Sequence, residues 1–282
     1  MGRNRTELGP MRSPINWVGS KARSAKFLTG LVPVGYREYL EPYFGGGSML
    51  FQLRPAEVET CNDLDGRVVN FYRVLRDEQS YRELRQMAEL TPCSRGQLRE
   101  CSTELSGDPV RDAWSFYVSC RQSMMGNLVN PHWLCSTTAA RRGMSLACSA
   151  YLSGLEGLDQ VHLRLRRVQF EQVDALEAIA RYDVGPSCFC FLDPPYASPG
   201  RRTKVSYGLN GSAEHLRALE DRLLGVRCRV MLCGGPSDGY PKLEGAGWRR
   251  VSVPGLMMNV HGIKAAVREE WILLNYDPNG GL

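Results

Sequence analysis

Cys188-Phe189-Cys190-Phe191-Leu192 runs straight into Asp193-Pro194-Pro195-Tyr196, five apolar residues followed by a carboxylate, two prolines and a tyrosine. Apolar side chains without polar alternation predict a strand buried on both faces, as at the centre of a parallel sheet. The two prolines end the strand, since proline has no N–H to give to a ladder. The Asp-Pro-Pro-Tyr segment then falls at the carboxyl end of a central strand, where open α/β sheets bind ligands.

Working outward, the same rhythm recurs on both sides. An extended run over Glu38–Pro42 leads into Phe44-Gly45-Gly46-Gly47, after which Ser48 predicts the cap of a helix beginning Met49-Leu50-Phe51. A second strand over Val58–Asn62 ends at Asp63, and Gly66–Asp77 places Val68, Val69, Phe71, Tyr72 and Leu75 at helical spacing. Strand, glycine loop, helix, strand, helix is the start of a doubly wound sheet. From 79 to 159 that alternation stops, and helical patterns broken by Pro, Ser, Gly and Cys predict a mostly helical insertion. It resumes with a strand at Val168–Phe170, a helix over Val173–Arg181, the 188–192 strand, an amphipathic helix over Ala213–Leu224 and a strand at Arg229–Cys233. Trp248–Val253 and Glu270–Tyr276 are expected to close the sheet as a hairpin. The expected organisation is a flexible tail over 1–13, an α/β domain from 14–78 plus 160–282, and the insertion at 79–159.

With 282 residues and 43% hydrophobic composition the chain can bury one sizeable core. No apolar run approaches the ~20 residues of a membrane span, and Met-Gly-Arg-Asn-Arg-Thr-Glu is not a secretory signal, so a cytoplasmic protein without membrane partners is expected. Ten cysteines are scattered from Cys61 to Cys233 with no C-x-x-C pair and only four histidines; they predict reduced core thiols and no metal site. The formal charge of +5 is compatible with a polyanionic partner without naming one, and all but five of the 35 basic residues are arginine.

The parts of Asp193-Pro194-Pro195-Tyr196 match one chemical task, the methylation of an aromatic amine whose lone pair is delocalised into its ring. The Asp193 carboxylate accepts one amino hydrogen and the Pro194 carbonyl, held extended by Pro195, accepts the other. Two fixed acceptors favour a tetrahedral nitrogen and stabilise the positive charge that develops on it during attack on a sulfonium methyl. Tyr196 offers a face for stacking a base extruded from a duplex. The alternative is a tight turn after a core strand. In Glu41-Pro42-Tyr43-Phe44-Gly45-Gly46-Gly47 the glycines let the backbone approach a nucleotide-like cofactor, and departure from G-x-G-x-x-G favours S-adenosylmethionine over a pyrophosphate-bearing dinucleotide. Asp63 stands where an acidic residue accepts from ribose hydroxyls; its neighbour Asp65 is the better helix cap.

Taken in order, Trp17-x-Gly19-x-Lys21, Glu41-Pro-Tyr-Phe-Gly-Gly-Gly47, Asn62-Asp63 and Asp193-Pro-Pro-Tyr196 resemble the Dam-type adenine-N6 DNA methyltransferases, from about residue 14 to the strand Glu270–Tyr276. The resemblance implies a Rossmann-like α/β sheet of the S-adenosylmethionine-dependent methyltransferases with an inserted helical target-recognition lobe. It implies that Trp17 and Lys21 line the cofactor site, that Phe44 packs by the adenosyl group with Glu41, Pro42, Gly45 and Gly46 around it, that Asp63 holds the ribose, and that Asp193 joins cofactor to target amine. Ser20 stands where the family commonly has glycine and Asp65 where asparagine is usual.

By the same resemblance the insertion reads double-stranded DNA. Arg121 and Asn127, within a loose match to the family signature over Arg121–Asn130, and Arg141 and Arg142 are the candidate contacts there. Arg201, Arg202 and Lys204, in a loop just past Tyr196, are candidates for closing over the flanking phosphates, with a solvated charge run as the alternative. The expected activity is site-specific methyl transfer from S-adenosylmethionine to N6 of a flipped adenine, with a cognate restriction nuclease as a candidate partner. Cytosine N4, RNA adenine or a glutamine amide as acceptor, and a non-catalytic DNA-binding relative, stay open at this point.

Overall fold

A computed structural model describes residues 9–101, 106–128, 131–196, 212–235, 238–254, 270–278 and 280. In chain order the first elements are α1 (Ala25–Thr29), β1 (Glu38–Glu41), β2 (Val58–Asn62), α2 (Gly66–Arg76), α3 (Glu78–Glu89), α4 (Arg95–Glu100) and α5 (Pro109–Gln122). There follow β3 (Ala140–Arg141), β4 (Met144–Ser145), α6 (Leu146–Glu156), α7 (Leu158–Leu165), β5 (Val168–Glu171), α8 (Ala175–Tyr182) and β6 (Cys188–Leu192). The chain continues through α9 (Ala213–Leu223), β7 (Arg229–Gly234), α10 (Pro241–Gly245), β8 (Arg249–Ser252) and β9 (Trp271–Leu274). Two compact units result: Met1–Ser20 with Gly45–Pro55 and Asp65–Val168, and Lys21–Phe44 with Ala56–Leu64 and Gln169–Leu282.

The second unit is built on a seven-stranded sheet of order β5-β2-β1-β6-β7-β9-β8. β1 pairs in parallel with β2 and with β6, and β6 in parallel with β7. β9 runs antiparallel between β7 and β8. This is the mostly parallel, doubly wound α/β sheet that the sequence predicts, with β8 and β9 closing it. All five residues of β6 are buried, as its unbroken apolar run requires. Cys188 and Cys190 sit in that strand as small apolar side chains, packed with Leu40, Ile179, Val230 and Leu273 in one core cluster. The chain winds outward from β1 through β2 to β5 and, in the other direction, from β6 to β7. The switch point therefore lies between the carboxyl ends of β1 and β6.

The first unit is mostly helical, and most of its helices start where a side chain caps them; α7, which follows Gly157, does not. Asp65 accepts from the Arg67 N–H at the start of α2, Asp77 from Ser80 at α3, and Asp108 from Val110 and Arg111 at α5, whose first residue is Pro109. Each such cap is worth about 1 kcal/mol. Phe71 and Tyr117 stack at 6.1 Å and 18°, joining α2 to α5. The short β3–β4 hairpin, which no sequence pattern announces, turns through Arg142 and Gly143 at φ 58° and 74°, the left-handed pair of a two-residue turn.

One predicted element is absent. Ser48 caps no helix; Met49–Leu53 is a succession of turns, with Phe51 N donating to Gly47 O at 3.2 Å and Leu53 N to Met49 O at 3.1 Å. Pro55 disfavours helical backbone at Arg54, which leaves too few residues for a nucleated helix. Met49, Leu50 and Phe51 are buried in succession, a run without the spacing of an amphipathic helix. Conversely, α1 and α10 form where the sequence reading places nothing. Residues 1–8 lie outside the described residues; Met11 is buried and its N–H donates to Phe51 O at 2.8 Å. Among the described residues no helix is long and apolar enough to cross a membrane.

Candidate active site

In the second unit the carboxyl end of β6 delivers Asp193 beside the chain that precedes α1. Lys21 Nζ donates to both Asp193 oxygens, at 2.6 and 2.7 Å. The lysine side chain is 5% exposed and the aspartate 20%, so this is a pair largely out of water. Tyr196 Oη donates to Asp193 Oδ1 at 3.2 Å, and Lys21 Nζ stands 4.8 Å from the centre of the Tyr196 ring. Burial, the largest single influence, pulls the Lys21 pKa down, but the neighbouring acidic groups, Asp193 first, and the hydrogen bond to Asp193 together more than offset it, and the group titrates above its ordinary 10.5. The Tyr196 phenol is pushed far up by burial and then by Asp193, so it stays a neutral donor. A carboxylate has about four lone-pair positions, so two bonds from Lys21 and one from Tyr196 leave about one position for an incoming amine. Pro194 is buried and Pro195 half-buried.

The neighbouring strands of the same unit carry the predicted cofactor residues. Glu41 ends β1 buried, its Oε2 accepting from Tyr39 Oη at 2.7 Å. Asn62, at the end of β2, is a clamp, a role that the sequence reading of the Asn62-Asp63 motif did not give it. Its Nδ2 donates to Pro42 O and Val173 O at 3.0 and 3.1 Å, while its Oδ1 accepts from Val173 N at 2.9 Å. Its own carbonyl accepts from Phe44 N at 3.0 Å. Phe44 is buried, edge-on to Phe170 with centroids 5.5 Å apart. Asp63, half-buried, follows directly, with its N–H directed to Glu171 O at 3.5 Å. An acidic side chain at the end of β2 beside a buried phenylalanine fits a ribosyl-adenine, which presents hydroxyls and an aromatic ring.

In the first unit Trp17 lies on the glycine loop. Gly45 has φ +46°, and a Cβ there would stand 2.4 Å from Trp17 Nε1; one at Gly46 would stand 2.8 Å from Trp17 Cβ. Only glycine permits this approach. The other side of Trp17 meets Phe116 at 6.1 Å. Ser20 and Ser48 share a hydrogen bond of 2.7 Å, which ties the Trp17 turn to the end of the glycine loop.

Residues 17–104 match the family model of the D12 class N6 adenine-specific DNA methyltransferases. The matched stretch contains Trp17, Lys21, the glycine loop and Asp63; it ends before Asp193-Pro-Pro-Tyr196. A curated relative, the Type II methyltransferase M1.LlaDCHI of Lactococcus lactis subsp. cremoris, is 31% identical over 75 residues, 27% of this chain and 25% of that protein. The alignment thus spans about a quarter of the relative's length. A solved rRNA methylase from Streptococcus thermophilus aligns over 89% of this chain and 94% of that one, at 12% identity and a TM-score of 0.30, a likeness too distant to bear on the fold. The resemblance to adenine-N6 methyltransferases found in the sequence agrees with the D12 match.

The residues expected to touch DNA fare differently. Arg121 is buried, donating to Asn16 Oδ1 at 3.3 Å and to Ala150 O, with its guanidinium pressed on Gly154, where a Cβ would come within 2.7 Å of it. It is an internal brace, which corrects its expected role as a surface contact: a phosphate cannot reach a guanidinium already enclosed by backbone. Arg141 donates to Ser149 and Ser153, and Arg142 to Ser153 and Glu156, both from the exposed β3–β4 hairpin. Asn127 is half-buried. Arg201, Arg202 and Lys204 lie outside the described residues.

Proposed function

We propose that the chain is a site-specific DNA methyltransferase that transfers a methyl group from S-adenosylmethionine to N6 of an adenine flipped out of double-stranded DNA. The observation that carries this reading is the Lys21–Asp193–Tyr196 cluster at the switch point of a methyltransferase-type sheet. S-adenosylmethionine supplies the electrophilic methyl. Trp17, Lys21, Glu41, Pro42, Phe44, Gly45, Gly46, Asp63 and Asp193 are the residues assigned to holding it, and all but the last fall within the D12 match over 17–104.

Asp193 accepts a hydrogen of the target amine and stabilises the charge growing on nitrogen, while the Pro194 carbonyl takes the second hydrogen. Lys21 orients the Asp193 carboxylate, and Pro195 holds Pro194 extended. Tyr196 supplies the stacking face, a contact worth roughly 1–3 kcal/mol per base. Asn127 and the exposed pair Arg141 and Arg142 are assigned to DNA, with Arg201, Arg202 and Lys204 beyond the catalytic motif. A cytoplasmic location and a cognate restriction nuclease fit this activity.

Purified protein incubated with labelled S-adenosylmethionine and mixed-sequence double-stranded DNA should yield N6-methyladenine on digestion to nucleosides. Label confined to cytosine, RNA or protein rejects the reading.

A further inference from the structure

We propose that Asp238 and Trp271 are positioning residues for Tyr196, acting through the Gly235 peptide on which its ring is seated. The inference rests on the reading of Tyr196 as the base-stacking residue. Gly235 follows β7 directly, and a Cβ there would stand 3.2 Å from Tyr196 Cδ2 and 3.5 Å from Cγ, so the tyrosine ring packs on a bare backbone. That backbone is held from both sides. Gly235 N donates to Asp238 Oδ2 at 2.7 Å, and Gly235 O accepts from Trp271 Nε1 at 2.8 Å. Asp238 is buried and returns its own N–H to Gly235 O at 3.0 Å, closing a small ring of bonds.

Trp271 is itself fixed. It begins β9 opposite Gly234, where a Cβ would come within 2.2 Å of its indole, so a second glycine makes room for the ring. Arg250 covers the indole at 4.0 Å. Two consecutive glycines therefore do separate tasks: Gly234 admits the indole that holds the next peptide, and Gly235 presents that peptide to Tyr196. A seat with both polar groups fixed limits the motion of the ring laid on it, and stacking geometry depends on that ring being preorganised.

The test is a double-mutant cycle on methyl transfer to mixed-sequence DNA, with a structural readout beside it. Trp271→Phe keeps an aromatic ring and removes the donor to Gly235 O; Asp238→Ala removes the acceptor. Each is expected to lower kcat about fivefold, the equivalent of one ordinary hydrogen bond, with KM for S-adenosylmethionine unchanged. In a Tyr196→Ala background the same substitutions should change kcat less than about twofold. Equal losses in both backgrounds overturn the proposal. Crystal structures of the two variants read the seat without any activity: Tyr196 displaced from Gly235 supports it, and Tyr196 in place overturns it. Should the wild type transfer no methyl to DNA, the functional reading fails while the crystal structures still decide the seat.

Discussion

At the carboxyl end of β6 an ammonium and a carboxylate meet with side chains 5% and 20% exposed; on the β3–β4 hairpin the Arg142 guanidinium meets Glu156 at 2.6 Å with side chains 46% and 56% exposed. The distances are alike and the physics is not. Out of water, the Lys21–Asp193 attraction is strong, desolvation is costly, and removing either partner strands the other. In water the Arg142–Glu156 pair is screened and readily exchanged, so the same arginine is free to take a phosphate at little cost. A buried pair fixes geometry; an exposed pair is a reserve of charge.

The largest expected effect comes from removing the carboxylate that both pairing and chemistry depend on. Asp193→Ala should lower kcat by about 10²–10³ or more, as loss of a preorganised transition-state contact does, while S-adenosylmethionine binding measured by calorimetry survives in part. Loss of binding alone, with turnover intact at saturating cofactor, would make the pair a structural one.

Removing the other partner is a stability experiment. Lys21→Met leaves Asp193 without its ammonium and should cost roughly 3 kcal/mol in chemical denaturation. The pH dependence has a definite sign. Lys21 titrates above 10.5 when folded, so its contribution is fully present below pH 10.5 and is lost as the pH rises through the folded value. Above pH 10.5 the wild type should therefore lose stability faster than Lys21→Met; parallel curves would mean that burial cancels the pull of the acidic neighbours and that the Lys21 pKa is not raised.

On the glycine loop, Gly45→Ala puts a methyl where Trp17 Nε1 stands and demands a left-handed alanine. Strain of about 1–3 kcal/mol should appear as S-adenosylmethionine affinity weaker by on the order of tenfold, with little change in kcat at saturation. An unchanged affinity would remove Trp17 and Gly45 from the cofactor site.

The smallest structural effect is expected on the hairpin. Arg142→Ala should leave the melting temperature unchanged and weaken DNA binding at low salt, with a shallower dependence of affinity on salt concentration. A clear drop in melting temperature would show the exposed pair to be structural after all.

The difference between the two regions also explains what the amino acids disclosed on their own. The unbroken apolar run at 188–192, the extended runs at 38–42 and 58–62 and the cap Asp65 are local signals, and β1, β2, β6 and α2 stand close to where they point. Met49–Leu53 misled because its apolar residues imitate a helix start while Pro55 disfavours helical backbone at Arg54 and leaves the segment short. The Asp193 motif was legible because its four residues are contiguous. Its supports were not: Lys21 reaches it across 172 positions, Asn62 clamps Val173 across 111, and Trp271 reaches Gly235 across 36. Arg121 shows the reverse error, since charge in a sequence suggests solvent, and only packing against Gly154 and Ala150 reveals that this arginine is enclosed.

The most direct measurement is mass spectrometry of nucleosides from the DNA of cells expressing the wild type or Asp193→Ala. The account predicts N6-methyladenine above background in the first and none in the second. N4-methylcytosine in its place, or equal N6-methyladenine from both proteins, would contradict it.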